Sequence, residues 1–277
     1  MRLFQFILFL MWVLPQLSMA QQGWFQSENK KGQLSIYWGY NRSHYTPSDI
    51  RFTGSEYDFT LSDVKAKDRP SDFGIEPYFK ANTFTIPQYN FRLGYFIGPK
   101  WSLNFGIDHM KYVMVQNQTV KIDGYIDDDN SVYQGQFNGE EVLLTSDFLQ
   151  FEHTDGLNYV NIEAQYFDNL YRFTEKHSVN FYAGGGLGIV YPKSNVQVFN
   201  VERSDVFHLA GYGISTKAGI NITLWKYFFI QTDYNFGFLH MPDVLTRPSG
   251  AADRASHHFF YGQWTFGVGG FIPLSSK

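Results

Sequence analysis

The chain has 277 residues, a formal net charge of −4 and no cysteine, with 19% aromatic and 17% charged residues. The lack of cysteine excludes a disulfide-stapled scaffold and a cysteine-borne lipid anchor, and a slightly acidic chain without a basic stripe has no footing for nucleic acid. Aromatic residues outnumber charged ones here, whereas a soluble domain carries about 25% charged residues.

At the start, Arg2 precedes an apolar run from Leu3 to Leu14, then Pro15 and Ser18-Met19-Ala20. This reads as a secretory signal peptide over residues 1–20 with a small-x-small cleavage site, leaving one domain over 21–277. The run is short for a membrane-spanning helix, and no later stretch reaches about 18 consecutive apolar residues.

Downstream, segments of period-two alternation follow one another. In Gln33 to Asn41, Leu34, Ile36, Trp38 and Tyr40 oppose Ser35, Tyr37, Gly39 and Asn41, as side chains on the two faces of a strand do. From Tyr89 to Asp108, Tyr89, Phe91, Leu93, Tyr95 and Ile97 share one face, then Gly98-Pro99-Lys100 turns the chain, and Trp101, Leu103, Phe105 and Ile107 continue an oily face on the second arm. Residues 158–167, 179–191, 212–224, 228–238 and 258–272 repeat the pattern. Eight strands are predicted.

Their connectors alternate in length. Links 98–100, roughly 168–178 and 225–227 are short, while 46–83, 116–157, 192–208 and 240–257 are long. Transmembrane barrels join an even number of strands by short periplasmic turns and longer extracellular loops, with an apolar outer band and aromatic girdles. Trp101, Trp225 and Tyr227 sit beside the short turns, where a girdle belongs. The predicted fold is therefore all-β: a single up-and-down antiparallel transmembrane barrel. Tyr57, Phe59 and Leu61 in the first long link, and residues 142–151 in the second, alternate as well and are expected to extend the sheet above the membrane.

On strand count, face alternation and loop asymmetry, the span from Gln33 to Ile272 resembles the small eight-stranded, porin-like outer-membrane barrels of the outer membrane protein A transmembrane-domain type. The resemblance implies residence in the outer membrane of a Gram-negative bacterium, with outer-membrane lipid, lipopolysaccharide and an extracellular or outer-membrane protein as partners and no cofactor. Such barrels usually end on an aromatic residue. Here Phe271 is followed by Ile272-Pro273-Leu274-Ser275-Ser276-Lys277, which blurs the end of the last strand.

The polar faces place Arg92, Asp108, Glu163, Lys217 and Asp233 in the lumen, with Asn90, Asn104, Asn161, Gln165, Asn180, Gln231 and Asn235. An eight-stranded lumen is about wide enough for side chains to fill, and unpaired buried charges are costly, so these residues are expected to pair as a plug. Gly184, Gly186 and Gly188 would leave room for larger neighbours such as Arg92 or Glu163. Chemistry, if present, belongs near the outer rim, where His109, His153 and Asp155, with a hydroxyl from Thr154 or Ser146, could meet. That set distantly resembles the outer-membrane lipid A deacylases, although Asp155 stands where their histidine-x-serine pattern needs serine. Asp127-Asp128-Asp129-Asn130 lacks the glycine and terminal glutamate of a calcium loop, and His257 and His258 should point to opposite faces. No metal site is predicted. The sequence thus supports a structural or surface-interaction barrel with a filled lumen, the alternatives being a lipid A or phospholipid hydrolase and a narrow channel.

Overall fold

The structure, a computed structural model, describes residues 23–25, 28–72, 74–127, 131–199, 203–247 and 252–274. The predicted signal peptide and Asp128-Asp129-Asn130 lie outside them. In chain order the elements are β1 (Gly23–Trp24), β2 (Gln33–Tyr45), β3 (Ser48–Thr53), β4 (Tyr57–Val64), β5 (Ala66–Lys67), α1 (Ile75–Tyr78), β6 (Tyr89–Phe96), β7 (Trp101–Met114), β8 (Thr119–Ile126), β9 (Gly135–Leu143), β10 (Leu149–Thr174), β11 (His177–Val190), β12 (Lys193–Val198), β13 (Ser204–Phe207), β14 (Gly211–Leu224), β15 (Phe228–Leu245) and β16 (Arg254–Pro273).

Eight of these close a ring in the order β2-β6-β7-β10-β11-β14-β15-β16, every neighbour antiparallel and β16 returning to β2 through Phe266↔Tyr40 and Val268↔Trp38. Closure leaves no strand edge in the wall, which is what a sheet in hydrocarbon requires. The outer face carries the predicted apolar residues: Leu103, Phe105, Ile162, Leu187, Ile214, Phe236 and Phe266 are all exposed. Trp101, Trp225 and Tyr227 are exposed at the short-turn end. The fold is that of an eight-stranded transmembrane β-barrel.

Above the apolar band the wall continues, and its inner face changes character without changing phase. On β7, Ser102, Asn104, Gly106 and Asp108 face inward, and so do Met110, Tyr112 and Met114 further up. On β16, Thr265 and Gln263 give way to Tyr261, Phe259, His257 and Ala255. The long connectors hold further strands, as expected at 57–61, whereas the stretch expected over 142–151 is interrupted by a turn at 144–148. β3 pairs the top of β16 through Ala255↔Phe52, and β4, β8 and β9 follow in sequence. On the other side β12 pairs the top of β10 through Phe151↔Val196. These strands wrap one apolar core containing Ile50, Phe52, Phe59, Leu61, Ile122, Phe148, Phe151 and Val196. This upper body is termed the crown. The register of β10 against β7 shifts between His153 and Leu157, where Gly156 takes φ 134°, a backbone that a side chain would strain.

At the upper end β2, β7, β10, β15 and β16 run on past their predicted limits into the crown, and two further boundaries differ from the sequence reading. The turn expected near 168–178 shrinks to residues 175–176, because Asp168 and Asn169, which look like turn residues, stay in the sheet. Asn169 faces inward and donates to Asn180 Oδ1 at 3.0 Å, beside a register shift before Tyr171. At the other end, β16 pairs down to Pro273↔Gln33, so the polar tail does not shorten the last strand.

Candidate functional site

The barrel interior is stacked in three layers. At the short-turn end, Tyr37, Phe96, Phe229 and Phe271 form a buried aromatic cluster with Phe167 packed against it. Phe229 and Phe271 have ring centroids 4.7 Å apart, and Lys30 Nζ lies 3.9 Å from the centre of the Phe271 ring, close enough for a cation–π contact. These side chains stopper the lower mouth. Their inward position follows from strand parity, and the sequence places Tyr37 on the inner face, but the cluster was not foreseen because aromatic residues in this chain mostly face lipid.

The second layer is the charge cluster. Arg92 Nη2 donates to Asp108 Oδ1 at 2.8 Å and to Glu163 Oε1 at 2.9 Å, and its Nε donates to Glu163 Oε2 at 3.0 Å. Its Nη1 reaches the carbonyls of Phe91 and Ile107. Lys217 Nζ lies 2.8 Å from Glu163 Oε1, Gln165 donates to Glu163 Oε2, and Asp108 also accepts from Asn90 and Asn161. Both carboxylates are fully buried. Two formal positive charges therefore face two negative ones, each tied by charge-assisted bonds. Asp233 stands apart and accepts from Tyr182 Oη at 2.6 Å. Tyr182 was not foreseen, since a lone inward tyrosine among glycines carries no polar signature.

The glycines of β11 explain how the cluster fits. A Cβ on Gly186 would lie 2.7 Å from Glu163 Cγ, and one on Gly188 would lie 2.1 Å from the Val160 carbonyl. Glu163 leans over bare backbone, as the sequence suggested. Arg92 is accommodated instead by Gly106, where a Cβ would sit 2.8 Å from Arg92 Nε.

The third layer is the crown core, and it separates the rim residues. His109, on the outward phase, is covered by Tyr89, whose ring stacks on it at 4.9 Å, and shares a 2.8 Å hydrogen bond with Asn158 Oδ1. His153 is sealed inside the crown, with Nδ1 2.8 Å from Ser194 Oγ. Asp155 points to solvent and pairs with Lys193 Nζ at 2.9 Å. Thr154 donates to Glu152. The histidines, hydroxyl and acid do not converge. His153 and Ser194 do form a hydroxyl–imidazole pair, but it is enclosed and lacks a carboxylate, so it offers no accessible nucleophile.

His257 lies beside His153, ring centroids 5.8 Å apart, among Tyr112, Phe151 and Phe259. Both rings are held neutral by burial: His153 is pushed down to about 3, and His257 falls well below the usual histidine range, with His153 as a further cause. Neither ring nitrogen of His257 has a protein hydrogen-bond partner among the described residues. Its neighbour His258 faces outward against His240 across the strand pair, and among the described residues no three histidine or carboxylate groups gather as metal ligands.

No family model and no curated protein matches the chain. Solved structures do. The chain is similar to Ail, the attachment invasion locus protein of Yersinia pestis, at 13% identity over 87% of this chain and 99% of that one, TM-score 0.33. It is similar to the outer membrane protein OprG from Pseudomonas aeruginosa at 11% identity over 88% and 98%, TM-score 0.39. Neisserial surface protein A matches at 11% identity over 88% and 98%, TM-score 0.37. The likeness is one of fold.

Proposed function

We propose that this chain is an outer-membrane barrel with a closed lumen whose work is done by the crown, held above the outer leaflet for a surface or protein partner. The observation that carries this reading is the stacking inside the wall. The aromatic stopper, the ion cluster and the apolar crown core follow one another along a single axis, and each fills the space between eight strands, which have little to spare. A channel needs a continuous wet path. A hydrolase at the rim needs an accessible base and nucleophile, and the rim residues are engaged elsewhere. Lipopolysaccharide and extracellular protein are the partners this geometry suits.

Planar-bilayer recording on the purified, refolded protein is the test. No stable unitary conductance is expected. Large, long-lived openings that persist in independent preparations would overturn the closed-lumen reading. Protease shaving of intact cells should cut crown loops and leave the barrel core protected.

A further inference from the structure

An apolar groove of about 720 Å³ lies on the outside of the barrel, where β2 and β16 meet. Its floor is a cross-strand patch in ladder register: Trp38 opposite Val268, Tyr40 opposite Phe266, and Arg42 opposite Trp264. Its cover is the segment that leaves the crown and folds back down the wall. Tyr40 Oη donates to the Tyr78 carbonyl at 2.6 Å, and Phe84 packs on Trp38 at 4.7 Å between centroids. Tyr78 and Phe79 line the cavity from above, and Phe79 remains largely exposed. The volume falls in the range of small-molecule pockets. Its floor belongs to the lipid-facing phase, so its lower end opens to hydrocarbon, while the cover carries the exposed Glu76 and Lys80 toward water.

The polar end of the groove is Arg42. It stands nine residues above Gln33, so on a tilted strand it reaches about 23 Å, near the upper edge of a band about 25 Å tall. Its Nη1 donates to the Asn41 carbonyl at 2.8 Å and its Nη2 to Tyr78 Oη at 3.3 Å, and among the described residues it forms no ion pair. Lys80, on the covering segment, is already paired with Glu76. The Asp68 carboxylate acts on Arg42 at longer range; a guanidinium at headgroup height with no close ion pair, over a groove open to acyl chains, matches one phosphodiester. The several phosphates of a lipid A headgroup would call for a cluster of cations.

We propose that this groove holds one anionic glycerophospholipid, an acyl chain along Trp38, Phe266 and Val268 and its phosphate on Arg42. The assignment rests on the reading of the barrel as membrane-embedded. The full-length protein, with Trp24, Trp101 and Trp225 replaced by phenylalanine so that Trp38 and Trp264 are the reporters, is reconstituted in zwitterionic phosphatidylcholine bilayers containing a small fraction of chain-brominated phosphatidylglycerol. A quenching component that saturates near one lipid per protein is expected. Arg42→Gln should weaken that component about tenfold, and Arg42→Lys should do so less, because ammonium keeps the charge but loses the planar fork. Folding of each variant is checked by heat-modifiable gel mobility. Quenching strictly linear in brominated lipid and identical in all three proteins would mean annular lipid only and overturn the site. Displacement of the brominated lipid by lower amounts of lipid A would overturn the phospholipid assignment. Failure of brominated phosphatidylcholine itself to quench would sink the membrane reading, a separate result.

Discussion

The same strands build two bodies with opposite chemistry. Inside the band, β7 turns Leu103, Phe105 and Ile107 outward and Asn104 and Asp108 inward. A few residues higher it turns Met110, Tyr112 and Met114 inward. Backbone phase is continuous, so what inverts is the medium outside. In lipid the outer face gains nothing from being polar, and the enclosed face satisfies its charges internally. In water the hydrophobic effect is restored, and the enclosed face becomes an ordinary apolar core. The two bodies should therefore fail in different ways.

The largest effect is expected in the lower body. Glu163→Ala leaves Arg92 and Lys217 buried without their shared carboxylate, and should cost about 3–5 kcal/mol. The readout is a drop in the temperature at which the folded gel band is lost, with the crown's own protease resistance changed less. In the crown the matching change is Leu157→Ala, which opens a cavity in the apolar core and should cost about 2–5 kcal/mol, measured by hydrogen exchange of β8 and β12. If both substitutions loosened crown and barrel equally, the division into two bodies would be wrong.

Acid provides the next contrast. His153 and His257 are neutral in the folded crown and would take up protons on unfolding, with a reference value near 6.5. Their folded values are depressed, so the stability they support is present above about pH 6.5 and is lost as pH falls below it. At pH 5 His153 should weaken the crown by about 2 kcal/mol, and His257 should act in the same direction. His257→Phe should flatten the pH profile of crown proteolysis, while the barrel band stays unchanged. An unaltered slope in that variant would remove His257 from the account.

A contrast similar in size to the acid one lies on the outer faces. Ile162→Arg, in the lipid-facing band, should destabilise by about 2–4 kcal/mol. Thr60→Arg, on the solvent side of β4, should change stability by less than about 0.5 kcal/mol. Urea titration in lipid vesicles measures both, and similar values would place the membrane boundary elsewhere.

Much of the barrel was legible because parity is local. Arg92, Asp108, Glu163, Lys217 and Asp233 could be put on inner faces from alternation alone. That the first four meet while Asp233 turns to Tyr182 depended on the stagger between strands, which alternation does not encode. His153 and Asp155 are close in sequence and His109 lies on the neighbouring strand, but the shift at Gly156 and the β12 pairing send the three side chains to lipid rim, core and solvent. The crown strands were partly visible in Tyr57-Phe59-Leu61, and the rest read as loop because their charged outer faces resemble connectors.

By itself the sequence determined the class of wall: a two-residue period with one aromatic-rich apolar face, repeated over eight segments joined by alternately short and long connectors, fits a closed sheet in lipid, whatever the partners of each strand. Only the tertiary structure decided what fills it and what rides above it, since ion pairing, the aromatic stopper and the crown core all depend on contacts between residues far apart in the chain, set by register and closure.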